Sequence, residues 1–199
     1  MQKKKSFWQV ILGVLLGLFF CCLLPYQGVW IGCLWWNCAP ERDISLWSLE
    51  MPPDYFPEGA DVGPLLHTPG HSISDDTFAD EYSQWIEWGS GRSSYNVWEY
   101  VSVNRAFQGY EKLIKINYFF STMEEGEWQK SIIEYKSDVA DESFITCGIG
   151  IWDNECIFRG RYEEYYISFM STIDEEMNSE EYIEILSYIE EKITTLLSS

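Results

Sequence analysis

Two histidines and two aspartates form the first candidate site. His67 and His71 lie four residues apart, and Asp75 and Asp76 follow closely. On a helix, histidines at this spacing would share one face and could hold zinc. The Pro-Gly pair between them opposes a helix, and the acids lack the alternating order of a calcium loop. We therefore expect two loop histidines and a solvated acidic segment, with a metal site at these four residues as the alternative.

The cysteines offer redox or cross-linking chemistry. Cys33 and Cys38 lie close together, as do Cys147 and Cys156. A tight turn at 153–154 would leave Cys147 about 13 Å from the position opposite Cys156, too far for a bridge. Either a disulfide closes a loop, or a tight hairpin keeps the thiols apart. We expect Cys147 and Cys156 to be bridged in an oxidising compartment, and Cys33 and Cys38 are a second candidate pair.

Three large aromatic residues are candidates for stacking on a ligand. Trp85, Trp98 and Tyr100 lie in two apolar runs, Tyr82–Trp88 and Tyr95–Val103. Aromatic residues in strands usually belong to the core, so a binding platform is the less expected of the two interpretations.

The polar connector between those runs, Gly-Ser-Gly-Arg-Ser-Ser, predicts a hairpin loop. It lacks the order of a phosphate loop or of a nucleophile turn. A symmetric loop would place Trp85 opposite Trp98 and Ile86 opposite Val97. Both faces of this hairpin are apolar, which predicts burial on both sides.

Helical spacing occurs in two segments. Apolar residues recur at three and four residue steps over 104–119, which predicts a helix despite Gly109 within it. The C-terminal segment has one apolar stripe, made of Tyr182, Ile185, Leu186, Ile189, Ile193, Leu196 and Leu197. Asn178 and Glu181 have the spacing of a capping box at its start. This pattern predicts an amphipathic helix that covers a sheet.

The remaining apolar runs predict strands at 128–135, 144–151, 156–162 and 165–173. Their connections are too short for crossover helices, so the sheet should be antiparallel. We predict an α+β domain with roughly four to six strands, packed against the C-terminal amphipathic helix and the second helix.

An N-terminal transmembrane helix is predicted by the apolar run from Phe7 to Leu24, in which Gln9 is the one strongly polar residue. Eighteen helical residues span about 27 Å, close to the thickness of a bilayer core. The basic run Lys3–Lys5 favours a cytoplasmic N-terminus, which would leave the rest of the chain outside. A cleaved signal peptide and a lipoprotein acylated at Cys33 are the alternatives.

The charge of the chain limits the classes of partner it can bind, and its composition suggests how it is divided. The formal net charge is −19, and residues 1–40 hold three lysines and no acid. So acidic a surface repels phosphates, which argues against nucleic-acid partners. The predicted organisation is an anchor and interfacial segment at 1–38, a Pro/Gly-rich linker at 39–74 with little regular structure, and an extracytoplasmic domain at 75–199.

No set of nucleophile, base and orienting group stands out, and no cofactor motif is present, so whether the chain is an enzyme stays open. The expected function is that of a membrane-anchored binding or sensor-like domain for a protein or small ligand, located at the cell membrane. One alternative is an envelope enzyme with a carboxylate or histidine site, recognisable by a deep pocket that holds His67 or His71 with acids. Another is a cation-binding structural envelope protein.

Overall fold

The computed structural model describes residues 39–74, 77–115, 128–130, 133–150 and 153–199. Residues 39–199 form one compact unit. Short 3-10 helices occur at Leu46–Leu49 and Pro53–Tyr55, and the longer helices are α1 (Val103–Lys115) and α2 (Ser179–Leu197). The strands are β1 (Asp61–Val62), β2 (Leu66–Ser74), β3 (Thr77–Trp88), β4 (Gly91–Tyr100), β5 (Trp128–Lys130), β6 (Glu142–Gly150), β7 (Asp153–Tyr162) and β8 (Tyr165–Thr172).

The eight strands in the described ranges belong to one antiparallel sheet with the order β1-β3-β4-β8-β7-β6-β5, and β2 also pairs with β3. The strands from β5 to β8 form a meander that returns to β4. The predicted antiparallel α+β class is confirmed. The described residues hold eight strands rather than four to six because β1 and β2 lie in the predicted linker, whereas β5 is the first part of the strand predicted at 128–135.

The C-terminal helix has the predicted stripe and cap. Tyr182, Ile185, Leu186, Ile189, Ile193 and Leu196 are buried, and Leu197 packs against them. The Asn178 side chain accepts hydrogen bonds from the backbone N–H groups of Glu180 and Glu181, and the Glu181 carboxylate accepts from the Asn178 N–H. This reciprocal capping box fixes where the helix begins, as the spacing predicted. Helix α2 closes the main core, which includes Val97 and Phe169 of the sheet.

The opposite face of the sheet carries a second, smaller core beneath α1. Ala106 and Tyr110 of α1 pack with Ala79, Tyr100 and Tyr166. The predicted helix is confirmed as far as Lys115, and its predicted end lies outside the described residues. Gly109 faces Tyr100 so closely that an added Cβ would overlap the phenol hydroxyl, which explains a glycine inside the helix. The two cores explain why both faces of the β3–β4 hairpin are apolar.

The predicted register of the β3–β4 hairpin is wrong by four residues. Trp85 lies opposite Ser94, and Trp98 lies opposite Glu81. The connection is a two-residue turn at 89–90 rather than a six-residue loop, because Ser93 and Ser94 are buried strand residues. The Ser93 hydroxyl donates to the Ser171 hydroxyl on β8 at 2.7 Å. An even shift keeps Trp85 and Trp98 on the same face, separated along the strands.

Cys147 and Cys156 form the expected disulfide, with an S–S distance of 2.01 Å. The supposed conflict between a bridge and a tight hairpin is wrong, because both occur together. Cys147 lies directly opposite Cys156 in the β6–β7 pair, with a Cα–Cα distance of 4.1 Å. The observed pairs extend to Gly150 and Asp153, whereas the register considered from the sequence would place Ile151 opposite Cys156.

Residues 39–74 contain more regular structure than the density of turn formers suggested. Besides β1, β2 and the 3-10 helices, this segment contributes apolar side chains to the main core: Leu46, Leu49, Met51, Phe56 and Leu65. Gln84 on β3 also holds it. Its buried amide accepts from the Met51 N–H at 2.8 Å and donates to the carbonyls of Met51 and Gly63. Apolar burial and these bonds outweigh the local turn preference.

The predicted anchor at Phe7–Leu24 and the pair Cys33 and Cys38 lie outside the described residues. Of the helices in the described ranges, none is both long and apolar enough to cross a bilayer.

Candidate functional site

An open cluster of rings lies on the α2 side of the sheet, near its β2 edge. The helix Leu46–Leu49 buries Leu46 and Leu49 and leaves Trp47 facing out, 51% exposed. Trp47 meets Tyr82 edge-on with a centroid distance of 5.7 Å and meets His67 at 6.5 Å. The imidazole of His67 stacks on Tyr82 at 4.5 Å, with an interplanar angle of 21°.

The sheet register explains this stack. His67 on β2 lies directly opposite Tyr82 on β3, so their side chains leave the sheet on the same face. The neighbour of Tyr82 on the other side, Val97 of β4, is fully buried in the main core. The rings therefore lie on the same face of the sheet as the main core, in a part of that face that is exposed.

Two carboxylates adjoin the rings. Asp80 on β3 lies directly opposite Glu99 on β4, on the face that carries Tyr82. The Asp80 Oδ2 atom is 3.4 Å from His67 Nε2, and Asp80 Oδ1 accepts a hydrogen bond from the Gly70 N–H at 2.8 Å. We call Trp47, His67, Asp80, Tyr82 and Glu99 the acidic aromatic patch.

The electrostatics of the patch favour positive charge. Burial, then the Asp80 and Glu164 carboxylates, raise the pKa of Glu99, and His67 opposes this shift. Burial, followed by Glu99 and Asp80, also raises the pKa of Tyr82. Opposed carboxylates in neighbouring strands repel each other, so a cation placed between them and the rings would relieve that repulsion.

A buried ion pair lies next to the patch. Glu164, in the β7–β8 turn, is 0% exposed, and its carboxylate accepts from Arg42 at 2.9 and 3.3 Å. Arg42 also binds Glu163 and the carbonyl of Leu197 at the end of α2. Arg42 thus ties the segment that enters the domain to the turn and to the C-terminal helix.

The three predicted stacking residues do not form one open platform. Trp85 is 50% exposed, Trp98 is partly buried and stacks on Tyr166 at 4.8 Å, and Tyr100 is 1% exposed. Tyr100 belongs to the core beneath α1 and offers no open ring face. Ligand binding at Trp85 stays a prediction.

Of the predicted metal ligands, His67 is described with its side chain, and it lies beside Asp80. His71 lies further along β2, opposite Ala79, and only its backbone is described. Asp75 and Asp76 lie outside the described residues. In the described ranges, no group of three or more His, Cys, Asp or Glu side chains is placed to hold a metal ion.

A shallow cleft of about 660 Å³ lies at the far end of the sheet, by the β3–β4 turn. Its walls combine hydroxyl, amide and carboxylate groups with two isoleucines: Ser90, Ile149, Asn154, Thr172, Ile173, Asp174 and Glu175. The Asp174 carboxylate turns inward, where Oδ1 accepts from the N–H groups of Glu176 and Met177. The carboxylate thereby shapes the turn before α2.

Sequence reasoning missed most of the patch. The sequence patterns place Tyr82 in a strand, Trp47 in the linker and Glu99 in no site. The alternation of Asp80 and Tyr82 was a usable signal that they share a face. The contribution of Trp47 depends on how the segment before β1 folds back, which no local pattern specifies.

Comparisons with protein-family models, with curated proteins and with solved structures give no match to this chain.

Proposed function

We propose that the chain is a single-pass membrane protein whose acidic α+β domain lies outside the cytoplasm and binds a partner without catalysis. The observation that carries the binding role is the acidic aromatic patch, in which a half-exposed tryptophan meets a histidine–tyrosine stack beside two carboxylates. Exposed aromatic residues are enriched where proteins bind one another.

The location rests on the sequence of the first 38 residues and on one covalent feature. The apolar run Phe7–Leu24 has the length of a transmembrane helix, and Lys3–Lys5 favours retention of the N-terminus in the cytoplasm. The Cys147–Cys156 bridge supports an oxidising compartment for the domain.

A reporter fused after Ser199 that is active only when exported tests this topology. We expect an active fusion in cells. As a matched control, the same fusion to a chain without residues 1–38 should be inactive. An inactive fusion to the full chain would contradict the proposed orientation.

Photo-crosslinking in cells tests the binding role. A photoreactive p-benzoylphenylalanine would replace Trp47 in one variant and Trp85 in the other, which have nearly equal exposure on opposite faces of the sheet. We expect a discrete adduct from position 47 and none from position 85. Adducts from position 85 alone would move the site to the other face, and no adduct from either would contradict a binding function.

Catalysis by the same residues is the second candidate, favoured by His67 lying 3.4 Å from Asp80 and by the raised pKa of Glu99. A carboxyl group that stays protonated to higher pH can act as a general acid. Against this, His67 is exposed, whereas catalytic groups work best where water is excluded. Hydrolysis of aryl ester, phosphate or glycoside substrates by the full chain, lost in His67→Ala, would replace the binding proposal.

A further inference from the structure

We propose that the acidic aromatic patch receives an arginine side chain from a partner protein, an inference that rests on the binding function proposed above. Its rings and carboxylates converge on one open surface, as the distances among Trp47, Tyr82, His67 and Asp80 define.

The charge balance around the patch favours a cationic ligand. Arg42 pairs with both Glu163 and Glu164 and so offsets one of their two negative charges. Asp80 and Glu99 lie opposite each other and face His67, an imidazole that is cationic only when protonated. The net charge of −19 would also attract a cationic partner over distance and raise its rate of association.

The mixture of groups favours a guanidinium over a simple ammonium. A guanidinium is planar, stacks on aromatic rings and pairs with a carboxylate through two parallel N–H bonds. Trp47 is half exposed and meets His67, whose Nε2 lies 3.4 Å from Asp80, so one guanidinium could reach both a ring and a carboxylate. Lysine would gain the charge interaction and less of the stacking.

The openness of the patch favours a protein side chain over a free small molecule. Small-molecule sites are usually concave and enclose most of their ligand. Here Trp47 and His67 are both exposed, so the patch would cover one end of a side chain and leave the rest of the contact to surrounding surfaces.

A titration with small probes tests the ligand chemistry. The probe is N-acetylarginine amide, and its matched control is N-acetylcitrulline amide, which has nearly the same shape without the charge. The imidazole signal of His67 in the full chain is followed by NMR, and His71→Asn identifies it because the chain has two histidines. We expect a saturable shift with the arginine probe, a weaker response to N-acetyllysine amide and none with citrulline.

Variants locate the response within the protein. Trp47→Ala and Glu99→Gln should each weaken arginine binding about tenfold, as expected for loss of one cation–π contact or one charged partner. Trp85→Ala, equally exposed on the other face, should leave it unchanged. Equal binding of citrulline and arginine, or equal loss in the Trp85 variant, would overturn the proposal. A photo-crosslinked adduct at position 47 without any response to the arginine probe would support the binding function and contradict recognition of arginine.

Discussion

The α2 side of the sheet contains two regions that differ in what covers them. Val97 and Glu99 lie two residues apart on β4 and point to the same side, yet Val97 is fully buried in the main core and Glu99 belongs to the patch. In the core, side chains are held by neighbours from α2. In the patch, rings and charges meet at the surface. Alternation along a strand therefore predicts the face of a residue but not whether that face is covered.

This difference makes a direct prediction about where substitutions act. Changes in the core should reduce stability strongly, whereas changes in the patch should reduce binding with little loss of stability.

Tyr182→Ala should lower the free energy of unfolding by about 4 kcal/mol. Tyr182 is fully buried, packs on Phe169 at 5.3 Å and donates its hydroxyl to the Phe169 carbonyl at 3.1 Å. Urea denaturation of both variants measures this, with Trp47→Ala as the matched control, expected to cost less than about 1 kcal/mol because the ring is half exposed. Equal losses would show that Trp47 belongs energetically to the core.

Arg42→Ala should cost about 3 kcal/mol, because it leaves the buried Glu164 carboxylate without its cationic partner. The double variant Arg42→Ala with Glu164→Gln should recover part of this loss, since no uncompensated charge then remains. Chemical denaturation of the two variants provides the comparison. A double variant less stable than the single one would mean that packing by Arg42 dominates.

Removal of the disulfide should cost about 2 to 3 kcal/mol, the effect expected for a short closed loop. The double variant Cys147→Ser with Cys156→Ser tests this by urea denaturation, and the reduced parent chain should match it. Since the disulfide joins β6 to β7 and the patch lies on β2, β3, β4 and the segment before β1, we expect no change in arginine binding at the patch. Loss of both properties would show that the two regions are coupled.

The C-terminal helix shows how much local sequence can specify. Its stripe and its Asn178–Glu181 cap depend on residues at most 19 positions apart, and the structure contains both. The prediction of the β3–β4 turn failed because Ser93 and Ser94 resemble loop residues. Their burial depends on pairing with β8, where Ser93 bonds to Ser171. The disulfide was expected correctly, but the strand register that places Cys147 opposite Cys156 was not.

The patch was less predictable than the fold for a related reason. Its members come from the segment before β1 and from β2, β3 and β4, and they meet through pairings set by the whole sheet. Gln84 shows the dependence, since its amide binds Met51 and Gly63 and so holds the segment that carries Trp47. Such contacts depend on which strands become neighbours, and one sequence read by itself does not reveal that.

Glu99→Gln is expected to give the smallest effect, a rise in melting temperature of about 2 °C or less at neutral pH. Burial, followed by Asp80 and Glu164, raises the pKa of Glu99 in the folded chain, so the folded state holds this proton more tightly than the unfolded state. Stability should fall as pH rises from the ordinary glutamate pKa to the raised value, and the cost of the charge is fully present above it.

The advantage of Glu99→Gln should therefore disappear below the ordinary glutamate pKa, as thermal melts across pH would measure. Glu184→Gln, exposed on α2, is the control for removing one acid and should show no comparable pH-dependent gain. A gap that stays constant with pH would contradict the raised pKa. If Glu99→Gln stabilises the domain while weakening arginine binding, the Glu99 charge lowers stability and serves binding, as is common at functional sites. Stabilisation without loss of binding would remove Glu99 from the site and leave the patch to its rings and Asp80.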